Sequence, residues 1–128
     1  MLLNLSNHPS SQWQEKQKAA AIQKYDSIQD LAFPEILPEA DAHNLRNLVE
    51  TYLASCLEMF STSTDSLNAV HLMGEMTFTF GLVALLQKNN ILCVASTTRR
   101  EATINDDGSK TIRFSFVKFR EYPKLLNA

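Results

Sequence analysis

Residues 68–96 read NAVHLMGEMTFTFGLVALLQKNNILCVAS, and the folding of this stretch decides the fold of the chain. Asn68 to Met73 is an apolar run of strand length, broken at Gly74. Met76, Phe78, Phe80, Leu82, Val83, Ala84, Leu85 and Leu86 then predict a helix over 76–88 that is apolar nearly all round. Such a helix must be covered on every side, and in a small domain part of the cover is expected from a second subunit. Asn89-Asn90 turns the chain into ILCVAS, a fourth strand that reads as buried on both faces. Strand, helix and strand in this succession form the repeating unit of a parallel sheet.

Toward the N-terminus, LLNLS at 2–6 reads as the first strand. It ends in Asn7-His8-Pro9 because Pro9 has no donor with which to continue a central strand. Ser10 or Ser11 is expected to cap a helix reaching about Lys24, with Ser11 and Gln14 at capping-box spacing and Trp13 packed at its start. Ser27 to Phe33 predicts a second strand closed by Pro34, and PEILPEAD a turn-rich connection. From Asp41 onward, Leu45, Leu48, Val49, Tyr52, Leu53, Cys56, Met59 and Phe60 keep the i, i+3, i+4 spacing of a helix buried on one side.

Toward the C-terminus, TTRREATI extends the fourth strand or starts a new one after a bend. Asp106-Asp107-Gly108 signals a hairpin, and Lys110 to Tyr122 returns antiparallel. Ile112, Phe114 and Phe116 alternate along that return, while Phe119 is out of phase, which predicts a bulge near Phe116-Val117. Lys110, Arg113, Lys118 and Arg120 read as guards of an exposed sheet edge. The whole points to one α/β domain over residues 1–128, a three-layer sandwich. Its sheet is mainly parallel, of order about 2-1-3-4, with the antiparallel hairpin strand outside.

Composition narrows the classes. A chain of 128 residues with 45% apolar and 20% charged content is an ordinary globular domain. No apolar run reaches the roughly 18 residues of a membrane helix, and MLLNLSNHP lacks the basic flank and length of a signal peptide. Two cysteines, Cys56 and Cys93, read as buried inert thiols in a reducing cytoplasm. With His8, His43 and His71 scattered, no zinc-ligand spacing exists, and no metal or cofactor is expected. The only glycines are Gly74, Gly81 and Gly108, so neither a Walker loop nor a dinucleotide fingerprint is present. The net charge of -2 divides unevenly: residues 1–98 hold five basic and ten acidic groups, residues 99–128 seven basic and four acidic. A basic surface for long nucleic acid is not expected, whereas a local anion site near the C-terminal segment is.

In this sheet order the connections diverge between the first and third strands, and ligands of such sheets bind at the carboxyl ends there. Ser6, Asn7 and His8 end the first strand, Gly74, Glu75 and Thr77 follow the third, and Ser96, Thr97, Thr98, Arg99 and Arg100 end the fourth. Hydroxyls, an amide, an imidazole and guanidiniums suit a phosphate-bearing ligand. Each also has a plain structural role. Ser6, Asn7 and Ser10 turn the chain, Thr77 caps a helix, and Glu75 suits the first turn of one. Gly74 permits a tight turn or a close backbone approach. His71, inside a strand, reads as a satisfied core histidine.

The segments MLLNLSNHPSSQW, HLMGEMTFTFGLVALLQ, CVASTTRRE and FVKFREY, taken together, resemble a group of small bacterial CRISPR-associated proteins. That group is in turn broadly similar to CRISPR-associated Rossmann-fold domains and small ring nucleases. Those are homodimers that bind cyclic oligoadenylate across the two-fold axis, and some cleave it. The resemblance implies a Rossmann-like fold, a homodimer and a role in antiviral defence. It carries over onto Asn7, His8, Gly74, Glu75, Thr97, Thr98 and Arg99.

Three functions follow as expectations. The first is a homodimeric binding module for a nucleotide-like or phosphate-bearing ligand, with Arg99 and Arg100 supplying charge. The second is a metal-independent ring nuclease, with His8, Glu75 and Arg99 as catalytic candidates. The third is a structural or interaction module without a ligand, which the apolar helix and long hairpin would serve.

Overall fold

Leu2, Leu3 and Leu5 are fully buried and Asn4 is 2% exposed, as befits a strand with neighbours on both edges and packing on both faces. The computed structural model describes residues 1–125. The elements run β1 (Leu2–Ser6), a 3-10 turn (Ser10–Gln12), α1 (Glu15–Tyr25), β2 (Ile28–Asp30), α2 (Ala42–Ser61), β3 (Ala69–Met73), α3 (Met76–Lys88), β4 (Leu92–Ile104) and β5 (Lys110–Glu121). Among the described residues the strands form one sheet of order β2-β1-β3-β4-β5. The first four are mutually parallel and β5 is antiparallel to β4. The expected α/β class and strand order are therefore present.

Alternation along each strand sends side chains to two separate cores. Leu3, Leu5, Val70, Leu72 and Cys93 pack with Val49, Cys56, Phe78, Leu82 and Leu86 of α2 and α3. Leu2, Ala69 and Val94 pack with Trp13, Ala21, Tyr25, Phe116 and Phe119. The α2 stripe lies entirely in the first core, and the helix begins where Asp41 and Asn44 form a reciprocal capping box. A cap of this kind contributes about 1 kcal/mol. Burial pushes the Cys56 thiol up to about 11 and that of Cys93 to about 12, so both stay protonated.

The start of α1 differs from expectation. Ser10–Gln12 forms a 3-10 turn, and the helix starts at Glu15 behind Gln14, whose side chain makes no cap. The reason lies across the sheet: Ser10 donates from its backbone N (3.0 Å) and its hydroxyl (2.7 Å) to Asp30, so it is tied to β2. Likewise β2 is only three residues long: Leu31 N makes a last hydrogen bond to the Asn4 carbonyl of β1 (2.9 Å), and the chain then leaves the sheet. Helix α3 is covered at Phe78, Leu82, Val83 and Leu86, while Met76 and Phe80 stand 83% and 78% exposed. The β4–β5 register shifts by one residue where Thr97 faces Lys118 and Thr98 faces Phe116, leaving Val117 as the bulge. That bulge puts both Phe116 and Phe119 into one core. No helix among the described residues is long and apolar enough to cross a membrane.

Candidate functional site

Two polar side chains interrupt the apolar centre of the sheet. Asn4 on β1 and His71 on β3 are register partners, each 2% exposed. Buried polar groups must find partners, and these find one another: Asn4 Oδ1 lies 2.9 Å from His71 Nδ1. The Asn4 amide nitrogen donates to the His8 carbonyl (2.9 Å) and to Asp30 Oδ1 (2.8 Å). Both of those groups only accept, so the amide orientation is chemically fixed. Oδ1 therefore accepts from the Ser6 hydroxyl (2.8 Å) and from His71 Nδ1–H. His71 must carry its proton on Nδ1, which leaves Nε2 with a bare lone pair. That Nε2 is closed off from solvent and has no hydrogen-bond partner. Burial pushes the His71 pKa down to about 4, so the ring is neutral near pH 7.

Asp30 anchors the other end of this chain. Burial alone would raise its pKa, but hydrogen bonds from Asn4 and Ser10 outweigh burial and hold it below the usual carboxylate range. Asp30, at the end of β2, thus joins through Asn4 to His71, each at the middle of its strand.

Above them a cleft of about 570 Å³ opens. It sits at the carboxyl ends of β1 and β3, where the connections to α1 and α3 leave the sheet. The β3–β4 ladder ends at His71 and Val94, and beyond it the strands part. The Tyr122 hydroxyl takes up the Leu72 carbonyl at 2.6 Å, and Met73 Sδ accepts from Ser96 N at 3.3 Å. Trp13, His71, Met73, Phe114 and Phe116 give the cleft apolar and aromatic walls, while Gln12, Gln14, Gln17 and Asn7 add amides. The Gln14 side chain bridges to β5, donating to the Phe114 carbonyl (2.8 Å) and accepting from Phe116 N (3.0 Å). No Asp, Glu, Lys or Arg lines the cleft among the described residues.

Of the residues expected at the strand ends, Ser6, Asn7, His8, Gly74, Ser96 and Thr98 line this cleft. Glu75, Thr77, Thr97, Arg99 and Arg100 do not. Glu75 is the N-cap of α3: its carboxylate accepts from Thr77 N (3.0 Å), Phe78 N (2.8 Å) and the Thr77 hydroxyl. The Thr77 hydroxyl and these backbone donors hold its pKa below the usual range. Thr97 exchanges hydrogen bonds with the backbone of Lys118 at the bulge. Arg99 and Arg100 are exposed on the hairpin and project to opposite faces. Arg100 lies on the cleft side and is the register partner of Phe114. Gly74 shows the expected close approach, for a Cβ there would lie 2.2 Å from Phe33 Cζ.

Asn4 and Asp30 are not among the residues expected from sequence, and His71, expected as a satisfied core histidine, is satisfied at Nδ1 alone. The signal was available: LLNLS and AVHLM each carry one polar residue at the middle of an apolar strand. Two such residues on neighbouring strands are best accommodated by each other.

The chain is thus a mostly parallel α/β sheet with an uncharged, aromatic-walled cleft at its carboxyl edge. It belongs to the Uncharacterized protein MJ1673 family, whose match covers residues 1–120 and so includes the cleft and nearly all of the sheet. No curated protein and no solved structure matches the chain.

Proposed function

We infer that this domain binds a nucleotide-like, phosphate-bearing ligand in the cleft, with cyclic oligoadenylate as the candidate. On this reading the fold is a Rossmann-like three-layer sandwich, and the chain is a homodimeric member of the CRISPR-associated sensors that its sequence resembles. The observation that carries the reading is the position and lining of the cleft. It lies at the point of divergence between β1 and β3, with Trp13, Phe114 and Phe116 as flat walls for a base and amides at its rim. The phosphates would lie outside the uncharged cleft, toward Arg100 on the adjoining hairpin face. The exposed Met76 and Phe80 of α3 support a second copy of the chain, across which a cyclic ligand would sit.

Trp13 is the only tryptophan and lines the cleft, so its fluorescence reports occupancy. Titration with cyclic tetra- and hexa-adenylate is expected to give saturable changes, with sedimentation showing a dimer. No change up to high micromolar ligand overturns the reading.

One observation favours a ring nuclease as the second reading. The His8 side chain lines the cleft and makes no hydrogen bond among the described residues, leaving its ring free for proton transfer. The ligand's own 2′-hydroxyl would attack the adjacent phosphorus and expel the 5′ oxygen, giving a cyclic phosphate and a 5′-hydroxyl. Chromatography after incubation separates the two readings, because a sensor leaves the ring intact.

A further inference from the structure

The Nε2 of His71 is an unusual feature for a cleft wall. Three buried side-chain atoms lack partners among the described residues: Tyr25 Oη, Thr79 Oγ1 and His71 Nε2. Only His71 lines the cleft. The Asp30–Asn4–His71 chain removes the ring's freedom to change tautomer, so Nε2 is always an acceptor and never a donor. An unpaired acceptor in a buried setting is costly, and a donor brought by a ligand would remove that cost.

The chemistry of the donor follows from what surrounds it. A cationic donor is excluded because no carboxylate lines the cleft to compensate an ammonium. The neighbouring walls are flat and apolar, with Trp13 edge-on to His71 at 5.1 Å between ring centroids. They match a neutral planar heterocycle better than a hydroxyl-rich group. Nε2 is closed to water, so a hydrogen bond from a ligand requires the packed rings around it to shift. Trp13 is the ring of that cluster that also faces the cleft, whereas Phe119 does not.

We propose that His71 is the specificity-determining residue of the cleft, its bare Nε2 accepting a hydrogen from the exocyclic amino group of an adenine-type base seated beside Trp13. The proposal rests on the nucleotide-binding reading and adds which edge of the base is read and by which atom.

The test compares adenosine 5′-monophosphate with purine riboside 5′-monophosphate, which lacks only the amino group, by Trp13 fluorescence. The native protein is expected to prefer the amino-bearing nucleotide about tenfold, the effect of one hydrogen bond to an otherwise unpaired acceptor. His71→Phe is expected to bind both equally. Equal affinities in the native protein, or a preference kept by His71→Phe, overturn the assignment while leaving nucleotide binding in place. If neither nucleotide binds, this assignment falls, while the nucleotide reading is decided by the cyclic oligoadenylate titration. Should His71→Phe fail to fold, nitrogen-15 NMR of the native ring decides instead. An unprotonated Nε2 whose resonance moves on adding adenosine 5′-monophosphate supports the proposal. A proton on Nε2 in the free protein, or a resonance unmoved at saturation, overturns it.

Discussion

Asn4 and His71 occupy one register position of the β1–β3 pair and share a hydrogen bond of 2.9 Å between Oδ1 and Nδ1. The bond does two things at once. It satisfies two polar groups in the middle of a sheet, and it sets which nitrogen of the imidazole carries the proton. Stability and site chemistry therefore depend on the same pair.

Replacing Asn4 with alanine strips partners from His71 Nδ1–H, Asp30, Ser6 and the His8 carbonyl together. The expected loss is roughly 2 kcal/mol of unfolding free energy. Urea denaturation measures it, and a change below about 0.5 kcal/mol would show that water replaces the amide without penalty.

His71 makes stability depend on pH. Its folded pKa of about 4 lies below the ordinary histidine value of 6.5, so below pH 6.5 the unfolded chain binds a proton that the folded chain refuses. Stability is highest above that point and falls as the pH drops toward 4, by roughly 3 kcal/mol in all. Asp30 acts lower on the scale: its depressed pKa gives stability that is present above 3.8 and lost as the pH falls through the folded value. Denaturation midpoints from pH 7.5 to 4.5 should slope downward in the native protein and much less in His71→Phe. Parallel slopes would assign the effect to other groups.

At Gly74 the ring of Phe33 occupies the space of a side chain. Gly74→Ala is expected to destabilise by about 1–3 kcal/mol as Phe33 is driven from its edge-on contact with Phe78 at 5.2 Å. In a double-mutant cycle, Phe33→Ala should cost less in the Gly74→Ala background than in the native one. Additive costs would mean that the two positions do not share that space.

Glu75 separates capping from ligand contact. With its carboxylate engaged by Thr77 and Phe78, Glu75→Ala should lower the melting temperature while leaving nucleotide affinity unchanged. Its depressed pKa makes this contribution present above pH 4.5 and lost as the pH falls through the folded value. Loss of affinity at unchanged melting temperature would place Glu75 at the ligand.

Much of the architecture was legible from periodicity. The strand order, the α2 stripe, the hairpin and the bulge all follow from spacings that a buried surface enforces, and all are present. The starts of elements were harder to read. Ser11 and Gln14 have capping spacing, yet Asp30, remote in sequence, claims Ser10 and moves the start of α1 to Glu15. The site was legible by position and less so by residue. Strand ends can be located from pattern, which brought Ser6, Asn7, His8, Gly74, Ser96 and Thr98 to the cleft. A side chain's engagement elsewhere, as with Glu75 and Thr97, depends on local backbone donors and acceptors that a one-dimensional pattern does not display.

The bridge from Gln14 to β5 also bears on where the sheet stops. The Phe114 carbonyl and Phe116 N flank Ser115 on the free side of the outermost strand, the pair that a sixth, parallel strand would seek. One side-chain amide, standing in for a peptide group, already holds both. A wall of the cleft therefore doubles as a terminator of strand addition, and emptying it would expose a template for chain-to-chain growth beside the partly exposed Ile112 and Phe114.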